Sequence, residues 1–410
     1  MKPSIRLALL HLVLAHATAH AMTVHEWGTF TVLFSSSGST PSWYQPYSDT
    51  AHLPLFAQLQ NPGAKSAGAF IVRMETPVLY FYPESETDVT VNVSFADGMI
   101  TERFPPSQFN VAEYQTPSTR KSDAPPVTTW KGKLLPPGHP MAASIPPVPE
   151  GTVENYAAAR AVPDAWLFAS STPVIRMKDQ PDIHPVDKFI FYRGASRTSP
   201  PWRATLDEDR TFTLTRMDQT AERWAVALQV RNGMASWKPL EKDSDDLSRT
   251  TLPKPDKPVE QAIAELGEVF LNELTARGLT RDEALAMIRT WDGTWFSEEG
   301  QRIFTIADPD WVDRQLPLEI TPKPENTSRV FVVRCELLDP QTEKQLAAIL
   351  LNPDANSAER LNDLRLGRFG KGAVEIAAET VRSTMHANHN SLLSKMAETE
   401  PIHTTSRWTK

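Results

Sequence analysis

The chain has 410 residues, of which 40% are hydrophobic and 22% charged, and this composition excludes an intrinsically disordered protein. Its 35 prolines against 17 glycines predict rigid loops and edge strands, and they exclude a collagen-like protein or a flexible Gly-rich linker. The formal net charge of −8, with no run of Lys or Arg, argues against nucleic acid and anionic lipid as partners, because both bind basic patches.

The first 21 residues have the three parts of a secretory signal peptide. Lys2 and Arg6 form a positive start, residues 7–15 form a short apolar run, and the small residues of a cleavage site lie at 19–21. An uncleaved N-terminal anchor or a buried helix is the alternative, but the apolar run is shorter than the roughly 20 residues that span a bilayer. We therefore expect an exported soluble protein, periplasmic or extracellular, with no transmembrane segment in the mature chain.

Residues 22–240 carry strand patterns, and we predict a β-rich, sandwich-like domain over this region. The run 78–82 is apolar on both faces, which is typical of a strand covered on both sides. Alternating apolar residues over 89–95, followed by Asp97-Gly98, predict a β-hairpin, and Asn232-Gly233 predicts another tight turn.

Two segments break these patterns. Residues 105–150 are dense in Pro, Ser and Thr and have little periodicity, so we predict a long loop packed over the β core. Residues 241–258 are charged and Pro-rich without an apolar pattern, which predicts a linker.

Residues 259–410 are predicted to form an α+β region that is mostly helical. Apolar residues recur at helical spacing until Gly278, and Thr280 with Glu283 forms a capping box for the next helix. Strand patterns return between 301 and 337, so this region can share one sheet with the first domain. The whole chain is therefore predicted to be α+β, with a β-rich body and a helical C-terminal part.

The segment "VHEWGTFTVLF" closely follows the predicted cleavage site and is typical of a strand. Alternation places Glu26 beside Phe30 on one face and His25 with Trp27 on the other, unless a bulge at Gly28 exchanges the faces. A functional interpretation makes His25 a base or ligand and Glu26 an acid. The structural interpretation, in which His25 is a hydrogen-bonded strand residue, is favoured because the spacing matches no metal or triad signature.

Glu75 in "RMETP" and Glu102 in "ITERF" are a second pair of catalytic candidates. Two carboxylates at about 5 to 9 Å across a cleft are what glycoside cleavage needs. The alternative is that Arg73 and Arg103, which are close to them in sequence, take part in cross-strand salt links with these carboxylates. The salt links are favoured, because Arg–Glu pairs are common in sheets.

Trp43 with Tyr44, and Trp291 with Trp295, form two aromatic clusters, and Trp27 belongs to the opening motif. Exposed Trp and Tyr side chains provide platforms for sugars or peptides, whereas buried ones anchor the core. For the Trp291 cluster, where a helix ends, the core is favoured. For the Trp43 cluster, set in a Pro/Ser loop, both interpretations remain open.

Tyr156 and Arg160 in "ENYAAAR" and Arg193 in "KFIFYRG" complete the ligand-binding candidates. Their convergence with Glu26 and Glu75 in one water-accessible cleft would indicate an enzyme. Separate salt links would indicate structural roles.

No metal site and no cofactor are predicted. His386 and His389 lie at i and i+3, and His403 follows, but the Glu of a hydrolytic HExxH site is missing. The sequence also has no GxSxG, no Gly-rich phosphate loop and no CxxC. The single cysteine, Cys335, lies on the apolar face of a predicted strand, which predicts a buried, inert thiol.

Several motifs occur in an order that resembles a family of exported bacterial proteins with no assigned activity. The motifs are "VHEWGTFT" after the signal, "METPVLYFYP", "GMITERFPP", "ENYAAAR", "KFIFYRG", "EALAMIRTWDGTWFSEEGQRIF" and "RVFVVRCELL", which together cover residues 24 to about 338. The resemblance implies export and a shared fold, but no reaction and no cofactor.

We therefore predict an extracytoplasmic binding or surface-assembly protein whose partner is a small molecule, a glycan or a protein. The alternative is a hydrolase that acts on glycan or peptide through Glu26, Glu75 and Glu102 with His25.

Overall fold

The computed structural model describes residues 21–41, 58–59, 71–95, 97–109, 127–145, 156–173, 185–218, 224–244 and 246–381. Among these residues, strands form three sheets, and the helices lie mostly in the C-terminal part. The predicted α+β class with a β-rich body is confirmed.

The largest sheet has ten described strands. Their order is β17 (Lys257–Pro258), β14 (Met234–Pro239), β13 (Ala225–Arg231), β18 (Gly300–Ile306), β20 (Asn326–Leu337), β1 (Met22–Phe34), β3 (Val72–Pro83), β10 (Ile190–Ser196), β5 (Gly98–Phe104) and β2 (Gln58–Leu59). Strand β1 pairs in parallel with β20 and antiparallel with β3, so the opening motif forms an interior strand. Strands β18 and β20 lie between β13 and β1, so the C-terminal region shares this sheet with the N-terminal one.

Two smaller sheets cover one face of the ten-stranded sheet. The first has the order β11 (Trp202–Leu206), β12 (Thr211–Arg216), β16 (Leu247–Thr251) and β15 (Glu241–Lys242). The second has the order β19 (Leu318–Thr321), β4 (Thr87–Ser94), β7 (Val127–Leu135), β8 (Leu167–Ser170) and β9 (Val186–Asp187), with β6 (Gln108–Phe109) also paired to β7. Apolar side chains of all three sheets meet in one large core, which gives the body its sandwich-like architecture.

Most of the described helices cover the opposite face. The described helices are α1 (Tyr156–Arg160), α2 (Val259–Ala276), α3 (Arg281–Trp295), α4 (Pro309–Gln315), α5 (Pro340–Leu351), α6 (Ser357–Asp363) and α7 (Gly370–Thr380), with 3₁₀ turns at Pro140–Ser144 and Gly367–Phe369. Helices α1 to α3 pack on the sheet in a second core, α5 to α7 pack on it in a third, and α4 joins the sandwich core. None of the helices in the described ranges is long and apolar enough to cross a membrane.

The local signals for helix ends are confirmed. Thr280 is the N-cap of α3; its hydroxyl accepts from the Glu283 amide at 3.2 Å, and the Glu283 carboxylate accepts from the Thr280 amide at 2.7 Å. Helix α2 ends just before Gly278, whose φ of +102° is a conformation that suits glycine.

The predicted hairpin at Asp97-Gly98 is wrong, whereas the turn at Asn232-Gly233 is confirmed. Strand β4 pairs with β7 and β19, but β5 pairs with β10 and β2, so the chain changes sheets at Asp97-Gly98. Gly98 is required there because a Cβ would lie 2.5 Å from the carbonyl oxygen of Ala195. Asn232-Gly233 closes the β13–β14 hairpin with φ of +52° and +72°, as a two-residue turn of this kind needs.

Two segments predicted to lack regular structure contain strands. Within 105–150, β7 has nine residues and buries Thr128, Trp130 and Leu134 in alternation. Within 241–258, β15, β16 and β17 are short strands that pair at the edges of two sheets. The buried face of β7 includes Thr128 and Gly132, and β15 to β17 have no buried residue, so the sequence shows little apolar alternation in either segment.

Cys335 is buried in the sandwich core together with Phe331, Val333 and Leu337, as the alternation of β20 predicts. Burial, and the negative charge of Glu336 beside it, raise the pKa of the thiol well above its ordinary value. We therefore expect no reaction of the native protein with a thiol reagent such as DTNB, and release of one equivalent after unfolding in urea. Rapid labelling of the native protein would contradict this burial.

Candidate functional site

Glu26 lies on the face of β1 that points into the sandwich core, and it is fully buried. The Arg329 guanidinium, on the neighbouring strand β20, faces its carboxylate with Nε 2.6 Å from Oε2, and the Tyr192 hydroxyl donates to the other oxygen. Arg329 also donates to Asp313 and to the Leu316 carbonyl, at 2.6 and 2.8 Å. The carboxylate is therefore compensated inside the protein.

His25 and Trp27 point to the opposite face, under α3. The Nδ1 atom of His25 lies 2.8 and 3.0 Å from the two carboxylate oxygens of Glu283, and the Tyr82 hydroxyl donates to the same carboxylate at 2.5 Å. Trp27 is buried beside Tyr80 in the second core. His25 thus links the first described strand to the capping box of α3.

The alternation along β1 is kept through Gly28, so Glu26 and Phe30 share one face and His25 and Trp27 share the other. An irregularity is present at this level, but the extra residue is on β3, where residues 76 and 77 oppose Gly28. The absence of a side chain at Gly28 has a different reason: a Cβ would lie 2.6 Å from the ring of Phe331. Both faces of β1 are buried, so Glu26 and His25 each need a partner.

Three of the candidates from the sequence lie together around one small cavity: Glu75, Glu102 and Arg193. Near Arg193, the register of β10 is irregular in its pairing with β3 and also in its pairing with β5. Arg193 is the register partner of Glu102. With Arg73 they surround a cavity of about 10 Å³, which is room for about one water molecule. Strand β10 separates the two carboxylates, so they do not lie on adjacent strands.

The pKa values of these two carboxylates are shifted in opposite directions. Burial raises the pKa of Glu75, but the charges of Arg368, Arg73 and Arg193 outweigh burial and lower the pKa to about 2. The Arg368 guanidinium is 2.6 Å from the Glu75 carboxylate. For Glu102, burial is the larger effect, and its pKa is raised although Arg193 and Arg73 oppose the shift.

Further buried charged residues, which were not predicted from the sequence, lie on β18 and β20 near the end of α3. Arg334 contacts Glu298 at 2.6 Å and Glu336 at 2.7 Å, and Arg302 contacts Glu336 at 3.1 Å. Arg334 and Arg302 also donate to backbone carbonyls at the end of α3. The signal was present in "RVFVVRCELL", where Arg and Glu share one face of an otherwise apolar strand. These contacts join β18 and β20 to the end of α3, which packs in the second core.

The remaining candidates are placed apart from these clusters. Arg160 donates to Asp187 at 2.7 Å, on the second small sheet. Trp291 and Trp295 are buried in the second core with stacked rings, so they anchor α3. Tyr156 is the first residue of α1. Trp43, Tyr44, His386, His389 and His403 lie outside the described residues.

One pocket in the described part of the chain was not predicted from the sequence. It has a volume of about 350 Å³, within the range of about 300–1,000 Å³ that is typical of small-molecule sites. It lies where the ends of β13 and β18 meet the first small sheet and the start of α5. Its lining consists of Leu206, Asp207, Glu208, Arg210, Phe212, Gln229, Arg231, Gln301, Asp339, Pro340, Gln341 and Lys344. We call it the Gln229 pocket.

Two glutamines form the buried part of this pocket. Gln229 on β13 and Gln301 on β18 are register partners and are only 8% and 7% exposed. The side-chain oxygen of Gln229 is buried and has no hydrogen-bond partner among the described residues. An unsatisfied buried polar atom costs about 1–3 kcal/mol, so a group that donates a hydrogen bond to it would be stabilising. The sequence signal is one Gln in the apolar strand "AVALQVR".

No protein-family model matches this chain, and no curated protein matches it. Among solved structures, the chain is similar to the Fcho1 mu homology domain of Danio rerio with a bound Eps15 peptide. The two share 6% sequence identity over 78% of this chain and 98% of that chain, with a TM-score of 0.29. This likeness is too low to carry an argument about fold or function.

Proposed function

We propose that this chain is an exported binding protein that holds a small polar ligand in the Gln229 pocket. The observation that carries the proposal is the buried, unpartnered oxygen of Gln229 in a cavity of about 350 Å³. Gln229 lines the cavity, so rotation of its amide would turn this oxygen to a ligand that donates a hydrogen bond, and the surrounding polar side chains would orient the ligand.

The hydrolase alternative has less support from the positions of its residues. Glu26 lies on the sandwich side of the sheet, whereas His25 and Glu75 lie on the helical side. Glu75 and Glu102 share one cavity, but that cavity has room for about one water molecule and not for a sugar or a peptide bond with its neighbours. General acid–base catalysis needs both groups within hydrogen-bond reach of one substrate.

A thermal-shift screen tests the proposal. The probes are a panel of sugars, amino acids and organic acids, added to the wild type and to Gln229→Leu. We expect at least one probe to raise Tm of the wild type, because a ligand at about 100 times its Kd adds about 2.7 kcal/mol to the free energy of unfolding. The same probe is expected to raise Tm of Gln229→Leu much less.

Gln315→Leu is the matched control for this screen. Gln315 lies on α4, its side-chain oxygen is also buried without a partner, and it does not line the Gln229 pocket. The probe that stabilises the wild type should therefore raise the Tm of Gln315→Leu by the same amount. A panel with no probe that stabilises the wild type more than Gln229→Leu would contradict the proposed function.

A further inference from the structure

The buried part of the Gln229 pocket presents two amide groups side by side. Gln229 and Gln301 are direct partners on antiparallel strands, and paired residues of this kind place their side chains next to each other on one face. Each amide has an oxygen that accepts hydrogen bonds and an NH₂ group that donates them. A matching ligand therefore needs neighbouring groups that both donate and accept, and a hydroxyl does both at one atom.

The rim of the pocket carries no excess charge of either sign. Three cationic side chains line it, Arg210, Arg231 and Lys344, and three anionic ones, Asp207, Glu208 and Asp339. A balanced rim gives no electrostatic attraction to an ion of either sign.

Most of these charges are also engaged within the protein. Lys344 and Glu208 form an ion pair at 2.6 Å, and the Arg210 Nε donates to the Leu252 carbonyl at 3.1 Å. The Asp339 carboxylate accepts from the backbone amides of Gln341 and Thr342, at 3.0 and 2.9 Å, as the N-cap of α5. A ligand with its own net charge would have to compete with these contacts, whereas a neutral ligand would not.

We propose that the Gln229 pocket binds a neutral polyhydroxyl compound, a mono- or disaccharide, with adjacent hydroxyls on the Gln229 and Gln301 amides. This inference rests on the proposed function, because it names the ligand class of the same pocket. Arg231 and Asp207 line the exposed rim, and their planar guanidinium and carboxylate groups would bind pairs of hydroxyls. The pocket volume of about 350 Å³ fits a ligand of this size.

Isothermal titration calorimetry on the full chain tests the ligand class. The neutral probes are glucose, galactose, maltose and cellobiose; the charged probes are gluconate and glucosamine. We expect binding of at least one neutral sugar, weakened about tenfold in Gln229→Leu and in Gln301→Leu, since each loses hydrogen bonds to the ligand. Gln315→Leu should bind as the wild type does.

A second variant keeps the test valid if a buried substitution impairs folding. Gln341 lines the rim at an exposed position, so Gln341→Ala should fold normally and bind the sugar about fivefold more weakly. Circular dichroism of each variant shows whether it is folded.

The outcomes separate the two proposals. Binding of charged probes alone, lost in Gln229→Leu, would overturn the sugar as ligand and leave the proposed function standing. Sugar binding that is equal in all variants would place the site elsewhere and overturn the Gln229 pocket as its location. Absence of binding by every probe would overturn both.

Discussion

Replacing Arg329 with methionine is expected to lower the free energy of unfolding by about 3–5 kcal/mol. The substitution preserves much of the side-chain length but removes the guanidinium that faces Glu26 at 2.6 Å. Because Glu26 is fully buried, its carboxylate loses its countercharge without gaining water. Urea unfolding followed by tryptophan fluorescence measures the change.

Arg314→Met is the matched control. Arg314 pairs with Asp218 at 2.9 Å, but these side chains are 50% and 37% exposed, and an exposed pair contributes only about 0–1 kcal/mol. The double variant Glu26→Gln with Arg329→Met removes both buried charges and should recover part of the loss. Equal losses in Arg329→Met and Arg314→Met would refute the importance of the buried ion pair.

Glu75→Gln is expected to lower the free energy of unfolding by about 3 kcal/mol at pH 7, and less at lower pH. The pKa of Glu75 is lowered from 4.5 to about 2 by the arginines around it, which outweigh its burial. A lowered pKa stabilises the fold above about pH 4.5, and this contribution is lost as the pH falls toward 2. Urea titrations of both proteins between pH 2 and pH 7 measure how the difference closes.

Glu102→Gln is expected to show the opposite pH dependence. The pKa of Glu102 is raised in the fold because burial disfavours its charge. Glu102 therefore does not lower the free energy of unfolding below pH 4.5, the pKa of the unfolded state. It lowers this free energy increasingly as the pH rises toward the pKa of the folded state. The variant should be at least as stable as the wild type at pH 7. Parallel pH profiles for Glu75→Gln and Glu102→Gln would show that the two carboxylates have equivalent surroundings, contrary to the structure.

Local features of the fold could be predicted because residues a few positions apart determine them. The capping box of Thr280 and Glu283, the turn at Asn232-Gly233 and the buried face of Cys335 are of this kind. The hairpin at Asp97-Gly98 failed because its flanking strands find other partners, and a turn motif alone carries no information about those partners.

The candidate site was predictable in part. Polar residues in apolar strands indicate Glu75 and Glu102, and the structure brings both to one cavity beside Arg193. The same kind of signal was present at Gln229, but its register partner Gln301 comes from a strand far along the chain. The Gln229 pocket forms where β13, β18, the first small sheet and α5 meet, so no single segment of the sequence contains a pattern that predicts it.

The sequence by itself determined the α+β class, several helix ends and the strand character of the opening motif, because periodicity and capping act within a segment. Only the tertiary structure decided that both faces of β1 are buried, and hence that Glu26 and His25 are each held by a partner. Those partners, Arg329 and Glu283, lie 303 and 258 positions away in the chain. An unpaired charge is costly to bury, but that cost specifies only that a partner is needed, and the packing of β20 and α3 against β1 specifies which residue it is.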